Sequence, residues 1–294
     1  MNGFDTAILV VLYGKKINDS VTLTTLSKCN LKGIVLTIVN NGPDLICDNS
    51  VIVKELEGNV KELIINEYLN NKPLSFLYND FIRDNVNAER LIILDDDTVI
   101  EESFLSKLSD KKLNDYDVVL PIIHSEADGK IYYPVENDIV IEKEKDMDPK
   151  GTLSIGSGLM LNKKVINKLI SRFNTVFDES YALYGVDMSI FRRIHKISKT
   201  YPSAIKIRCE GVLMHSLSRV GSKPGKFRTT ERLIDAAITG RRYFCIRNEI
   251  FMLKVFAKSI PVIGVVNSVT LLCKYFALGC HDRSRLWKKS TYTK

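Results

Sequence analysis

The sequence lacks the cysteine pattern of a secreted scaffold and the long apolar run of a membrane-spanning helix. Its six cysteines include no C-x-x-C pair and are spread over 294 residues, a pattern typical of a reducing compartment. The longest uncharged run near the C-terminus, residues 259–273, has 15 residues and contains Pro261 and Gly264. Crossing a bilayer takes about 20 apolar residues, so no transmembrane helix is expected. The apolar run at 7–13 is short and follows no basic segment, which predicts a strand rather than a signal peptide.

Positive charge is concentrated in the C-terminal segment. The formal net charge is +7, yet residues 241–294 hold 11 Lys or Arg and 2 Asp or Glu, so the first 240 residues are nearly neutral. Such a basic segment suggests an anionic partner, either a membrane surface or nucleic acid. The neutral body and the absence of a recognition motif argue against nucleic acid. We therefore expect a main domain over 1–240 and a basic, apolar helical tail over 241–294, which lies on an anionic membrane surface or caps the main domain.

Apolar runs alternate with amphipathic segments over the first 120 residues. Continuous apolar runs predict buried strands at residues 6–13, 34–39, 91–94 and 118–120, the last of them ended by Pro121. Helices are predicted after an N-cap at Asp19 or Ser20 with Val21, Leu23 and Leu26 inward, after Pro73, and over 102–108. This alternation favours an α/β fold with a mostly parallel central sheet flanked by helices.

The pattern becomes less regular after Pro121. We expect, in chain order, a hairpin over 122–133 around Asp128-Gly129, an exposed charged loop over 136–150, a strand over 157–161, an amphipathic helix over 163–173 with Ile170 inward, and a flexible basic loop over 221–226. The tail beyond residue 249 is expected to be helical.

Three consecutive aspartates, Asp95, Asp96 and Asp97, follow the buried strand at 91–94. In open α/β sheets, ligands bind at the carboxyl ends of the strands, which is where these acids are expected. Adjacent carboxylates repel one another unless a cation lies among them, and oxygen ligands of this kind suit Mg²⁺ or Mn²⁺ bound to a substrate's phosphates. The alternative is a strand that runs into an acidic turn.

A second acidic segment runs from Phe177 to Asp187. Asp187 precedes an amphipathic helix whose inward residues are Met188, Ile190, Phe191 and Ile194. An aspartate at this place is either a helix cap or a general base.

Four landmarks occur in order along the chain: the strand ends at Tyr13 and at Asn40-Asn41-Gly42, the motif Leu94-Asp95-Asp96-Asp97, the segment Phe177-Asp178-Glu179 to Val186-Asp187, and the series His215-Ser216, Arg242-Tyr243, Arg247-Asn248. Taken together, they resemble the inverting glycosyltransferases of family 2, which have the GT-A nucleotide-sugar-binding fold and in which the aspartate motif binds metal. Within that family they are similar to the rhamnosyltransferase-like enzymes that build bacterial O-antigen and capsule. The family's Glu-Asp pair is Val186-Asp187 here, and the aspartate often found two positions on is Ser189.

The resemblance implies transfer of a sugar from a UDP- or dTDP-linked donor to a hydroxyl of a glycan acceptor, with inversion. Asp97, with Asp95, would hold Mn²⁺ or Mg²⁺, and His215 is a candidate ligand, phosphate contact or structural histidine. Asp187 would be the base, and the expected donor contacts are Leu12, Tyr13, Asn40, Asn41, Asn79, Asp95 and Asp96. With the basic tail, it also implies a lipid-linked acceptor at the cytoplasmic face of the cell membrane, where the enzyme would be peripherally bound.

Two other enzyme classes share part of this pattern. Asp95-x-Asp97-x-Val99 fits the nucleophile motif of haloacid-dehalogenase-type phosphatases, in which Asp95 would form an aspartyl-phosphate. That motif normally lies on the first strand of its domain, whereas two predicted strands precede it here. A sugar nucleotidyltransferase would need a glycine-rich phosphate loop after the first strand, of which Tyr13-Gly14-Lys15-Lys16 is a weak version.

Overall fold

A computed structural model of the chain describes residues 6–46, 50–217 and 225–292. The strands in these residues are, in chain order, β1 (Thr6–Leu12), β2 (Ile34–Asn40), β3 (Glu62–Glu67), β4 (Arg90–Asp95), β5 (Thr98–Val99), β6 (Val118–Ser125), β7 (Ile131–Tyr133), β8 (Val135–Glu136), β9 (Ile139–Val140), β10 (Lys145–Met147), β11 (Thr152–Leu153), β12 (Leu159–Asn162) and β13 (Ile207–His215). The helices are α1 (Val21–Leu26), α2 (Val51–Asn59), α3 (Leu74–Asp84), α4 (Glu102–Leu108), α5 (Lys163–Phe173), α6 (Val186–Thr200), α7 (Lys226–Arg242), α8 (Ile246–Ile263), α9 (Val265–Leu278) and α10 (Asp282–Tyr292). Of the predicted basic loop at 221–226, residues 221–224 lie outside the described residues.

One large sheet organises the first part of the chain, in the order β10-β13-β6-β12-β4-β1-β2-β3. The block β3-β2-β1-β4 is parallel, and β6 and β13 are parallel to each other. The alternating pattern predicts the parallel strands β1, β2 and β4, whereas β3 was not predicted. Between these two parallel groups lies β12, which is antiparallel to both β4 and β6. The sheet is therefore mixed, with its parallel block carrying the nucleotide-binding edge predicted from the sequence.

The core lies on both faces of this sheet because β1, β2 and β4 are apolar at nearly every position. Ile8, Val10 and Leu12 of β1 belong to one large cluster with side chains from β2, β4, α1, α2 and α4. Ala7 and Leu9, which alternate with them and so face the other side, are also fully buried. A continuous apolar run of this kind is what a strand covered by helices on both faces requires.

The structure corrects three local predictions. Pro121 does not end its strand but lies within β6, at the point where the β13 ladder skips from Cys209 to Val212, so no partner there needs the missing N–H group. The segment 136–150 is not a plain loop, since it contributes β8, β9 and β10, and β10 pairs with β13. Val21 and Ile170, predicted to face inward, are 40% and 41% exposed because each lies at the border of its helix's apolar face.

The described chain divides into two compact units. The first comprises residues up to 71, 80–176 and 193–220, and contains the large sheet. The second comprises 72–79, 177–192 and 221–294, and contains α7 to α10. A boundary near residue 240 stays a prediction, since the second unit joins the tail to earlier segments of the chain. Within residues 6–46, 50–217 and 225–292, no helix combines the length and apolar character needed to cross a bilayer.

Candidate metal and nucleotide-sugar site

The three aspartates lie where β4 ends, at the carboxyl edge of the parallel block. Asp95 is the last residue of β4 and is in register with Val11 of β1. The chain turns at Asp96 and Asp97 and immediately forms the two-residue strand β5. That strand pairs antiparallel with the end of β13, Thr98 opposite His215 and Val99 opposite Met214. Strand pairing therefore brings a histidine 120 positions away to the aspartate turn.

Asp95, Asp97 and His215 form a cluster with the dimensions of a metal site. The Nε2 atom of His215 lies 3.1 Å from Oδ2 of Asp95 and 3.5 Å from Oδ1 of Asp97. One ligand atom of each residue falls within 4.8 Å of the others. His215 is buried and the two aspartates are half-buried. Two carboxylate oxygens and one imidazole nitrogen suit a divalent ion that accepts both oxygen and nitrogen ligands, and Mn²⁺ accepts an imidazole more readily than Mg²⁺ does.

The electrostatics of His215 show that this cluster attracts positive charge. Burial lowers the pKa of His215, but the hydrogen bond to Asp95 and the charges of Asp95 and Asp97 outweigh it, so the pKa is raised above its ordinary value. Without a cation, the imidazole therefore tends to hold a proton between the two carboxylates. A divalent ion would supply the same positive charge at that place.

The first residues of α1 hold the backbone of the aspartate turn. The hydroxyl of Ser20 donates to the carbonyl of Asp96 at 3.0 Å, and that of Thr22 donates to the carbonyl of Asp95 at 2.6 Å. Thr22 also accepts from the amide of Thr98 at 2.9 Å. These bonds fix the turn through its peptide groups and leave the carboxylates for other partners. Ser20 was predicted as a helix cap, and its Oγ does accept from Leu23 N at 3.2 Å, but its bond to the turn was not predicted.

Asp96 has a different environment from its two neighbours. The Lys15 ammonium donates to its Oδ1 at 3.0 Å. Burial raises the pKa of Asp96, with smaller contributions from the charges of Asp97 and Asp95, and the lowering effect of Lys15 does not cancel this. Sequence reasoning missed this pair, since Gly14-Lys15-Lys16 was read only as a weak phosphate loop. The signal that could have revealed the pair is that Lys15 follows β1 just as Asp96 follows β4, since these two strands are parallel neighbours whose carboxyl ends lie at the same edge.

The predicted donor contacts at the ends of β1 and β2 differ in what their side chains do. Leu12 is fully buried in the core, and its carbonyl accepts from the Asn41 amide at 2.8 Å. Tyr13 is 55% exposed. The side chain of Asn40 donates to the Asp44 carbonyl at 2.7 Å and accepts from the amide of Gly42 at 3.0 Å. Asn40 and Asn41 thus shape the turn after β2, and Tyr13 offers an aromatic face beside it.

Gly42 is required at this turn. Its φ of +89° is unfavourable for other residues, and a Cβ there would lie 2.6 Å from the carbonyl oxygen of Leu69. The turn therefore has a fixed geometry at the same sheet edge as the aspartates.

The second unit contains Asn79 and Asp187. Asn79 accepts from the amide of Phe177 at 2.9 Å and donates to its carbonyl at 3.0 Å, so its side chain fixes the start of the second acidic segment. Asp187 is half-buried in the first turn of α6. The roles of both as donor contact and base stay predictions.

Two motifs of the sequence meet inside this second unit. Asp178 is buried and accepts from Nε of Arg242 at 2.9 Å and from the hydroxyl of Tyr243 at 2.8 Å. Its other oxygen accepts from the amide of Ser180 at 3.0 Å. A buried carboxylate is tolerated when it is paired and hydrogen-bonded in this way. The Arg-Tyr pair therefore anchors the acidic segment that leads to Asp187.

Gly185 stands two residues before Asp187 at a point of very close packing. Its φ is +78°, and a Cβ there would lie 1.9 Å from Oδ1 of Asp235 and 2.7 Å from the Tyr181 ring. Asp235 is buried, and burial raises its pKa despite the nearby charge of Arg192 and a hydrogen bond from Thr239.

We expect Gly185→Ala to lower the free energy of unfolding by about 2–5 kcal/mol. Alanine would have to adopt the left-handed backbone conformation of Gly185, and its Cβ would also clash with neighbouring atoms. Chemical denaturation measures this loss. The matched control is Gly33→Ala, since Gly33 has a φ of +87° with nothing within 4 Å of its Cβ position. That variant carries backbone strain alone, about 1–2 kcal/mol. Equal losses in the two variants would show that the approach of Asp235 does not constrain Gly185.

One cavity of the first unit does not coincide with this site. It measures about 820 Å³ and is lined by Thr6, Gly33 and Arg90 at the amino ends of β1, β2 and β4, together with several lysines. The aspartate cluster lies at the opposite, carboxyl ends of these strands. The chemistry of the donor groups, rather than the size of the cavity, identifies the candidate site.

Comparison with solved structures shows that the chain has the GT-A glycosyltransferase fold. It is similar to residues 1–349 of S. aureus TarS in complex with UDP-GlcNAc, with a TM-score of 0.53, 11% sequence identity, and coverage of 95% of this chain and 82% of the other. It is also similar to GalNAc-T7 with UDP, GalNAc and Mn²⁺, with a TM-score of 0.53, 10% identity, and coverage of 99% and 58%. The chain spans 44% of the length of the longer TarS chain that it matches. No protein-family model and no curated protein matches the sequence.

Proposed function

We propose that this protein is an inverting, metal-dependent glycosyltransferase that transfers a sugar from a UDP- or dTDP-linked donor to a hydroxyl of a glycan acceptor. The observation that carries the proposal is the Asp95, Asp97 and His215 cluster at the carboxyl edge of a GT-A sheet. The rhamnosyltransferase-like subgroup is part of this proposal, and it rests on the sequence landmarks alone.

The cluster supplies suitable ligands for the cation. Asp97 and Asp95 would contribute carboxylate oxygens and His215 its Nε2 atom, a set that favours Mn²⁺ and also accepts Mg²⁺. The cation would neutralise the charge that develops on the departing nucleoside diphosphate. The Lys15 ammonium, which donates a hydrogen bond to Asp96, is a positively charged side chain at the same edge of the sheet.

The donor's nucleoside is proposed to lie over the ends of β1 and β2. The exposed ring of Tyr13 would cover the base, while Asp95 or Asp96 would lie nearer the ribose. Asn41, whose side chain is buried and donates to Asn71 at 3.3 Å in this structure, would turn toward the base to bind its edge. Uracil and thymine present the same pairing edge, so both donors fit. The complexes of TarS with UDP-GlcNAc and of GalNAc-T7 with UDP support a nucleotide-sugar donor.

Asp187 is the proposed general base. It would accept the proton of the acceptor hydroxyl while that oxygen attacks the anomeric carbon on the face opposite the diphosphate. The C1–O bond to the diphosphate breaks as the new glycosidic bond forms. A single displacement of this kind inverts the anomeric configuration and needs no covalent sugar–enzyme intermediate.

The acceptor is proposed to be a lipid-linked oligosaccharide in bacterial surface polysaccharide synthesis. The basic tail would bind the enzyme peripherally to the anionic cytoplasmic face of the cell membrane, where such an acceptor is presented. Each basic residue near an anionic leaflet contributes about 1 kcal/mol of attraction.

Incubation with UDP-, dTDP- and GDP-sugars tests the donor class. We expect binding and slow hydrolysis of a UDP- or dTDP-sugar in the presence of Mn²⁺, and loss of both in EDTA, because the diphosphate would be bound through the cation. Undiminished hydrolysis in EDTA would contradict the metal's role. Hydrolysis of simple phosphate monoesters with a trapped aspartyl-phosphate on Asp95 would instead support the phosphatase alternative, and formation of a nucleotide-sugar from a sugar phosphate would support a nucleotidyltransferase.

A further inference from the structure

Helices α8 and α9 form a hairpin whose outer half is apolar and exposed. Residues 259–273, which include the turn at Gly264, contain no charged side chain. Val265, Val266 and Val269 are 58%, 78% and 43% exposed. The inner end of the hairpin is different, since Met252 and Tyr275 are buried. A cluster of exposed apolar side chains of this kind marks an interaction site.

We infer that the α8–α9 hairpin inserts its turn into the hydrocarbon region of one membrane leaflet and does not merely lie on the surface. This inference rests on the proposed membrane association of the tail, and it is independent of sugar transfer. The occupant of the apolar surface is then the acyl chains of anionic phospholipids.

The spacing of the lysines fits the depth of a single leaflet. Lys254 lies ten residues before Gly264 and Lys274 ten residues after it, so the two flank the hairpin at the same level. Ten helical residues span about 15 Å. The hydrocarbon core of a bilayer is about 30 Å thick, so each leaflet contributes about 15 Å. With the backbones of the two lysines at the boundary of the hydrocarbon core, the turn would therefore reach the middle of the bilayer, and the lysine side chains would extend outward to the phosphates. Lys258, about 9 Å from the turn, is long enough to extend its ammonium toward the headgroups.

Three polar side chains near the turn make hydrogen bonds within the hairpin, which lowers the cost of moving them into hydrocarbon. The Ser268 hydroxyl donates to the Gly264 carbonyl, and the Asn267 amide to the carbonyl of Ile263, at 2.8 and 2.9 Å. The single hydroxyl proton of Ser259 can be donated either to the Phe256 carbonyl at 2.7 Å or to the hydroxyl oxygen of Ser268 at 2.8 Å. These small residues let the two helices approach closely, and their hydroxyls remain buried between the helices.

The charges of the hairpin match an anionic leaflet. Residues 246–278 hold four basic side chains and one acidic side chain. Lys254 and Lys258 lie on the exposed surface of α8, and Lys274, at the inner end, donates to Asp282 at 2.5 Å. An apolar turn flanked by lysines is the arrangement expected of a segment that binds both the acyl chains and the anionic headgroups of a membrane.

Flotation with phosphatidylglycerol-containing liposomes tests the inference, when the full-length wild-type chain is compared with the full-length variant Val266→Asp. The wild type should float at about 0.1 M and still at about 1 M NaCl, because screening weakens only the electrostatic part of binding. V266D should reduce binding at high salt at least about tenfold, because a carboxylate is costly in hydrocarbon. The matched control is Val86→Asp, on the first unit, where Val86 is 63% exposed. Circular dichroism confirms that both variants fold.

The outcomes separate insertion from simple adsorption. If the wild type fails to float at either salt concentration, the proposed membrane association and the insertion both fail. If it floats only at low salt, and V266D floats equally well, the tail adsorbs electrostatically and insertion is wrong. If V266D changes the sedimentation of a dimer to that of a monomer and leaves flotation unchanged, the surface binds a second copy of the chain, and insertion is again wrong.

Depth-dependent fluorescence quenching provides a direct readout. The chain has one tryptophan, Trp287, so Val266→Trp can be combined with Trp287→Phe. Lipids brominated near the ends of their acyl chains should quench the indole introduced by V266W. The matched reporter is Ile246→Trp in the same background, since Ile246 is also 78% exposed but lies 18 residues, about 27 Å of helix, before the turn. Equal quenching of the two reporters would overturn the inference.

Discussion

Asp97→Asn should lower kcat for sugar transfer about 10²–10³-fold, a loss expected when charge stabilisation at the leaving group is weakened. The carboxamide keeps the size of the side chain and can still accept the hydrogen bond that the Ser216 hydroxyl donates to Asp97. It loses the negative charge that, with Asp95, would attract the cation to His215. We therefore expect weaker Mn²⁺ binding, measured by electron paramagnetic resonance, together with the loss of turnover.

Asp84→Asn serves as the matched control for this substitution. Asp84 belongs to the same compact unit, its side chain is 62% exposed, and its ion pair with Arg83 is on the surface. Removing that charge should change neither Mn²⁺ binding nor kcat. If D97N retained full activity in EDTA as well as in Mn²⁺, the acidic turn would have no metal role.

Asp187→Asn should lower kcat about 10²–10⁴-fold, the usual effect of losing a positioned base. Asp187 is the second residue of α6, where asparagine loses only the favourable interaction of the negative charge with the helix N-terminus, about 0.3–1 kcal/mol, so the melting temperature should change little. Donor binding should also persist, because the proposed cation ligands are unaltered. The combination of intact donor affinity and lost turnover distinguishes this variant from D97N.

Glu102→Gln tests whether an acid in the first turn of a helix explains the effect by itself. Glu102 begins α4 and accepts a hydrogen bond from the Asn30 amide at 2.7 Å. E102Q should cost some stability and leave transfer unchanged. If D187N behaves like E102Q, with lower stability but full activity per folded molecule, then Asp187 only stabilises the first turn of α6 and is not the base.

The sequence was sufficient to predict the parts of the fold that have strong local signals. The runs that became β1, β2 and β4 are apolar at almost every position because both faces of the sheet are covered, and such runs are legible without a structure. A short helix was predicted near Glu102–Leu108, which is where α4 lies. The aspartate turn was recognised because three adjacent carboxylates directly after a buried strand repel one another unless a cation lies among them.

The parts that were missed depend on partners far along the chain. Strands β8, β9 and β10 have two or three residues each, too few for a periodic pattern. Pro121 can lie inside β6 only because β13 is irregular opposite it, and nothing near Pro121 in the sequence reveals this. The Lys15–Asp96 pair spans 81 positions, so only the adjacency of β1 and β4 makes it visible. His215 was identified as a candidate, but its distance from Asp95 required the pairing of β5 with β13.

The pairing of β5 with β13 also determines when the candidate site is completed during synthesis. A chain emerging from the ribosome exposes its N-terminal residues first, so β1, β2 and β4 can pair long before β13 has been made. The acidic turn would exist at that stage, but Thr98 would still lack its partner His215, which lies 117 positions later. A nascent chain of about half the full length would therefore hold the carboxylates without the imidazole. If the site binds a cation through all three side chains, the complete set of ligands forms only after residue 215 has been synthesised.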